Sequence, residues 1–361
     1  MALHESVLEA AIPEHLRTKR TLPSKLPPDY HPPFPAYAAR FPKSADGVVI
    51  AVIGLQSKDR HSRFEDCQKK LVGFMRQQVG DVVPKHWNLS SVIDKRGYHN
   101  IAAIAYWATP SDYEAWLAES GFAAFWDDLK PDGDVGWFRE AFSPSIDRFE
   151  NIFSDNEVPE GVAHMRESVS GELQEHVYWG SMRDRLPISQ TDLLVGNHDQ
   201  RSAVDEVTDT RSQRIRVPGR RNLAIIRSGQ DWSGTDAHER ELYLTTMHPV
   251  LIKGMEYLTH QGSETGCFSN RFMEVIDADD ASRCMEKTFG LGYFDDIASL
   301  EAWSKKHRTH LAIFGRFHQY AKQLENNLQL RLFHEVLVLT PEQQDFEYVG
   351  CHEDTGMLTA R

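Results

Sequence analysis

Two stretches of this chain match each other, and that internal match constrains the fold more than any other feature of the sequence. In NIAAIAYWATPSDYEAWL an apolar run reaches Tyr106 and Trp107, and Ser111 is then followed by Glu114, Ala115 and Trp116. In TFGLGYFDDIASLEAWS, Tyr293 and Phe294 lead to Glu301, Ala302 and Trp303. The spacing from tyrosine to tryptophan is ten residues in both. Downstream, VGWFREAF sets Phe138, Arg139 and Glu140 opposite Phe333, His334 and Glu335 of LRLFHEVL. Each unit opens with an apolar run, GVVIAVIGLQ from Gly47 and NLAIIRSGQ from Asn222. Helical stretches follow near 63–78 and 236–260. Ser111 with Glu114 has the form of a capping box, which starts a helix after the Tyr106 strand. The unit reads strand–helix–strand–strand–helix–strand. Two such units predict an α+β chain: two ferredoxin-like repeats forming a dimeric α/β-barrel-type core, its antiparallel sheets flanked by helices and able to hold a ligand.

Around the units the chain divides further. Residues 1–45 carry Pro23, Pro27, Pro28, Pro32, Pro33, Pro35 and Pro42. Such a run cannot be helical and predicts an extended arm laid on the body. The first repeat spans 46–187, a polar connection 188–221, and the second repeat 222–361, which includes the C-terminal tail. Within the connection Arg214, Arg216, Arg220 and Arg221 predict a solvated loop. A net charge of −13 argues against a nucleic-acid footprint. No run approaches the roughly 18–20 apolar residues of a membrane span, and the N-terminus lacks the apolar core of a signal peptide. A cytoplasmic protein is expected. Cys67, Cys267, Cys284 and Cys351 are scattered without zinc or disulfide spacing. No P-loop, GxGxxG, HExxH or EF-hand pattern occurs.

A few residues have the setting for chemistry. His310 heads a helical stripe of Phe314, Phe317, Ala321 and Leu324. A neutral imidazole on an aromatic wall suits a haem iron, and a core histidine bonded to backbone is the alternative. His334 alternates with Leu330, Leu332, Val336 and Val338 on one face of a strand. There it is either a satisfied buried histidine or a proton carrier, since burial disfavours the imidazolium. EHVYWGSMRDRLPISQTD gathers aromatics with Arg183 and Arg185, either ordinary surface arginines or partners for a carboxylate. Ser228 directly follows a strand and precedes Gly229, where a serine can hydrogen-bond a ligand; the absence of G-x-S-x-G argues against a nucleophile. Glu150, flanked by apolar residues in DRFENIF, is a buried acid or a salt-bridged surface one.

In order along the chain, DYHPPFPAYAAR, EHVYWGSMRDRLPISQTD, NLAIIRSGQDW, GCFSNRF, RTHLAIFGRF, LRLFHEV and FEYVGCHEDTGML resemble the haem-containing aldoxime dehydratases. These pieces span nearly the whole chain, arm and tail included. The resemblance implies a lyase that converts aldoximes to nitriles and water on haem b, ferrous in the active state. It places the axial iron ligand on His310 and the catalytic histidine on His334. It also places the serine that bonds the substrate hydroxyl on Ser228, the assisting arginine on Arg185 and the assisting glutamate on Glu150. A homodimer is expected from the same resemblance. Two rivals stand beside it: a haem peroxidase-like enzyme on a similar barrel, and a haem-free dimeric barrel that binds a small ligand.

Overall fold

The computed structural model describes residues 7–78, 80–198 and 209–360. Residues 199–208 of the polar connection, and the first six and the last residue of the chain, lie outside the described residues. The Pro-rich start forms one turn at Glu14–Leu16 and a short strand, β1 (Ala39–Arg40). The first unit runs β2 (Val49–Ser57), α1 (Ser62–Arg76), β3 (His86–Ile93), β4 (His99–Trp107), α2 (Pro110–Glu119), α3 (Phe122–Asp128) and β5 (Gly136–Phe142). Next come β6 (Phe149–Phe153), β7 (Ser168–Val169), α4 (Ser181–Arg185) and β8 (Arg214–Val217). The second unit runs β9 (Leu223–Asp231), α5 (Ala237–Leu242), α6 (His248–Gln261), β10 (Cys267–Ile276) and β11 (Cys284–Phe294). It continues through α7 (Ile297–Lys306), α8 (Arg308–Gln323) and β12 (Arg331–Leu339), and β13 (Gln344–Val349) follows. A π-turn at Tyr243–Met247 joins α5 to α6.

Eleven strands form one antiparallel sheet in the order β6-β12-β9-β11-β10-β3-β4-β2-β5-β13-β8. Where the sequence suggested two sheets packed together, they join edge to edge: β10 pairs with β3 from Glu274↔Ser91 to Ile276↔Leu89. Strand order is the same on both sides of that seam, β12-β9-β11-β10 and β5-β2-β4-β3. The strands that follow each unit cross over. β6 follows the first unit but pairs with β12, and β13 follows the second but pairs with β5. Inward side chains from both halves, among them Val52, Tyr106, Phe138, Leu291, Tyr293, Phe333 and Phe346, make one contiguous core, so the sheet curls around it.

The matched sequence positions fall on matched faces. Phe138 and Phe333 point into the core, as do Glu140 and Glu335, while Arg139 and His334 point outward. The two outer faces then differ. In the first half Trp107, Trp116, Phe122, Trp126 and Trp137 pack solidly beneath α1, α2 and α3. In the second half α6, α7 and α8 cover a thinner layer of Phe294, Leu300, Trp303, Val336 and Val338.

Two local expectations are corrected. The helix after Tyr106 is capped by Thr109, whose side chain accepts from the Asp112 N–H, and Pro110 takes the first helical position. Ser111 is therefore inside the helix, not at its cap, because Pro110 is already set for helical φ. The basic run is not wholly a solvated loop: Arg214–Val217 is a strand paired with β13. Glu347 accounts for this, since it pairs with Arg214 at 2.6 Å and Arg216 at 3.3 Å.

Candidate functional site

Alternation along β12 sends Phe333, Glu335, Leu337 and Leu339 to the core and Val336 and Val338 to the outer face, where His334 also lies. On the neighbouring β9, Ser228 is the direct cross-strand partner of His334. Residues so paired share a face and sit within side-chain reach. The Ser228 hydroxyl makes no hydrogen bond to any described residue, so it is free for a ligand. On the other flank of β12, β6 brings Glu150 opposite Val336, again on the outer face.

Arg185 reaches this face from α4, which starts after Gly180. Its Nε and Nη2 donate to the two Glu150 carboxylate oxygens at 2.9 and 2.8 Å. Nη2 also lies 2.7 Å from His334 Nε2, and Glu150 Oε1 lies 3.3 Å from the same nitrogen. Both Glu150 and Arg185 are buried, at 5% and 4% exposure. Burial alone would raise the Glu150 pKa, but the charges of Arg185 and His334 hold it down to about 2. A guanidinium only donates, so at 2.7 Å the His334 Nε2 must accept. A protonated Nε2 must instead donate to Glu150. Either protonation state of His334 therefore has a partner on the same ion pair, and Nδ1 has none among the described residues.

His310 stands apart from these four, in the first turn of α8 across the same outer face. Its ring meets Trp303 edge-on at 4.8 Å and Trp179 at 6.2 Å, and Trp179 lies 5.2 Å from Phe314. Burial pushes the imidazole pKa down to about 4, with the Ser304 backbone pulling the other way. Its Nδ1 is buried without a well-formed hydrogen bond. Gly254 of α6 lets Ile313 of α8 pack close, since a Cβ there would lie 2.5 Å from Ile313 Cδ1. A neutral imidazole with an unspent buried nitrogen, ringed by Trp179, Trp303 and Phe314, fits a planar, axially ligated porphyrin. Trp179 remains 38% exposed, as a wall for a flat apolar group would be.

The segment 176–185 links the two parts: Trp179 touches the His310 ring and Arg185 touches His334. The N-terminal arm clamps that segment. Asp184 accepts from the Ser24 hydroxyl, the Lys25 N–H and the Tyr178 hydroxyl, and Tyr30 donates to the His176 carbonyl. A cavity of about 420 Å³ lies elsewhere, at the seam between Asp94, Asn100, α6 and the tail, and none of the five residues lines it.

The profile of the family described as haem-containing dehydratase matches residues 51–357. The chain belongs to that family. It is 38% identical over 357 residues to the aliphatic aldoxime dehydratase of Rhodococcus erythropolis, covering 97% of this chain and 98% of that one. It is 32% identical over 336 residues to the phenylacetaldoxime dehydratase of Bacillus sp. (strain OxB-1), covering 92% and 93%. The crystal structure of an aldoxime dehydratase in complex with butyraldoxime superposes with a TM-score of 0.88 at 36% identity, covering 98% of this chain and 96% of that one.

In this family member, sequence reasoning missed three contributors. His176 is half-buried beside Arg185 and His334, and desolvation with those two charges drives its pKa down to about 3. Trp179 and Asp184 were visible only as part of an aromatic, arginine-bearing segment. Their roles depend on contacts with α8 and the arm, which no spacing in the sequence announces.

Proposed function

We propose that this protein is an aldoxime dehydratase that converts aldoximes to nitriles and water, with haem b held by His310. The observation that carries the reading is the outer face of β12 and β9: a histidine held by a buried Arg–Glu pair, beside a serine whose hydroxyl has no partner among the described residues. The names of the relatives, from aliphatic to arylalkyl aldoxime dehydratases, support the substrate class. Haem held by His310 would, when bound in the ferrous state, supply electron density that weakens the N–O bond of the oxime.

The chain's own residues do the rest. Ser228 holds the oxime hydroxyl. Taking up a proton turns His334 Nε2 from Arg185 to Glu150, leaving Nδ1–H to protonate that hydroxyl so that it departs as water. The bare Nδ1 then accepts the proton of the aldoxime carbon as the nitrile forms. One proton is given and one returned, with no net redox change. General acid help of this kind is worth about 10²–10⁴-fold.

A homodimer, a cytoplasmic location and the division into two ferredoxin-like repeats at 46–187 and 222–361, joined by the 188–221 connection, belong to the same proposal. The shared strand order supports the repeats. The test is anaerobic, dithionite-reduced, haem-loaded protein given butyraldoxime or phenylacetaldoxime and scored for nitrile. Nitrile formation in the reduced state alone is expected. Intact haem with no nitrile, together with peroxide-driven oxidation in the ferric state, would overturn the proposal in favour of a peroxidase.

A further inference from the structure

Ser228 and His334 are directly opposed in only one register of β9 against β12, and the next pair along the ladder carries the means of holding it. Arg227 and Glu335 are directly opposed, one residue from Ser228 and His334, and point into the core. Arg227 Nη1 lies 3.3 Å from Glu335 Oε2, and Nη2 lies 2.6 Å from Glu160 Oε1. The guanidinium sits between the Phe289 and Phe333 rings, 4.7 Å from each centroid. Glu335 also accepts from the Val162 N–H at 2.7 Å and the Tyr106 hydroxyl at 2.9 Å. Gly161 makes this approach possible: its φ is +53°, and a Cβ there would lie 2.0 Å from Glu335 Oε1. Lys287 closes the cluster on Glu160 at 2.7 Å.

We infer that Arg227 and Glu335 are positioning residues for the dehydration, pinning β9 against β12 so that Ser228 and His334 meet the same substrate. A one-residue slip of a strand turns every side chain to the other face. Here a slip would also strand a buried guanidinium and a buried carboxylate without partners, which a protein interior does not tolerate. The cluster therefore sets the catalytic spacing from behind the sheet, without touching substrate. This inference rests on the roles proposed above for Ser228 and His334.

The first half supplies a matched control. Glu140, the counterpart of Glu335, is equally buried and is held by Arg271 and the hydroxyls of Tyr293 and Tyr348. Its outward neighbour is Arg139, tied to Asp345 and Glu347, so no proposed catalytic residue stands in front of it.

The experiment compares wild type, Glu335→Gln, Arg227→Lys and Glu140→Gln as reduced holoenzymes for kcat, KM and the pH profile of kcat. A second readout is the side-chain ¹⁵N shift of His334 in histidine-labelled protein. Glu335→Gln and Arg227→Lys should lower kcat about tenfold or more with KM little changed, since small misplacements of reacting groups are costly. They should also displace the pH profile and the His334 shift, whereas Glu140→Gln should leave all of these near wild type. Two results overturn the inference: the three variants behaving alike, or losses that simply track thermal stability. If Glu335→Gln fails to fold, Arg227→Lys and Tyr106→Phe decide. A wild type that makes no nitrile sinks the proposed function instead, and the His334 shift still decides whether the pair positions that ring.

Discussion

Arg185 binds Glu150 through two parallel hydrogen bonds and, with the same Nη2, touches His334 Nε2 at 2.7 Å. A buried charge pair is thus spent on one imidazole. Replacing Arg185 by methionine leaves the buried Glu150 carboxylate with His334 in place of its guanidinium partner. That change should destabilise the fold by about 3–5 kcal/mol, the range for breaking a buried pair. Arg185→Met with Glu150→Gln should be milder than Arg185→Met alone. Denaturant titration of the three variants checks this, and equal losses would show that the pair is not coupled.

His334→Ala should keep its haem and lose turnover by about 10²–10⁴-fold, the range for general acid–base help. The Soret band and single-turnover nitrile yield, read on the same sample, separate the two effects. Near-normal turnover would remove His334 from the chemistry.

Ser228→Ala removes a hydroxyl that bonds no described residue. Folding stability should stay within about 0.5 kcal/mol of wild type, as for substitutions that break no interaction, while turnover falls. A large stability loss would mean that Ser228 has a structural partner.

His310→Ala should purify without haem, and added imidazole should restore part of the Soret absorbance by standing in for the missing ring. A full haem complement in the variant would assign the iron ligand elsewhere.

Acid should weaken the haem-free protein well before its carboxylates titrate. Burial holds His86, His176 and His310 neutral, with pKa values pulled down to about 3, 3 and 4. An unfolded histidine titrates near 6.5. Below that pH the unfolded chain takes up protons that the folded one refuses, so stability falls as pH drops from about 6.5 toward 4. The slope is up to about 1.4 kcal/mol per pH unit for each histidine. Glu150 adds to this only below its unfolded value of 4.5, its stabilisation disappearing toward pH 2. Denaturant midpoints at pH 7, 6, 5 and 4.5 give the slope, and His176→Asn should flatten it. A flat profile would contradict the burial of these rings.

Periodicity reached His334 and its face correctly because strand alternation is local: Val336 and Val338 accompany it outward as the pattern requires. Ser228, expected just past a strand, lies within β9 because the strand runs on to Asp231, and its pairing with His334 is a long-range register that only coordinates give. The α8 stripe is less buried than a core helix: Tyr320 and Ala321 are buried, and Phe314 and Phe317 only partly. That half-covered aromatic face lies beside the packing of Ile313 on α6. The clamp on segment 176–185 was illegible because Ser24, Lys25 and Asp184 are ordinary polar residues until the arm folds across.

The crossing of β6 and β13 has a consequence for how such a molecule arises and comes apart. Glu150 belongs to the first half by sequence and to the second by position, and β13 repays the exchange on the far side. Neither half of the gene alone encodes a complete site. Fragments severed within the 188–221 connection would be inert apart and should regain activity only on mixing. The surroundings of His334 are thus drawn from both parts of the chain, since β12 is flanked by a strand that precedes the connection.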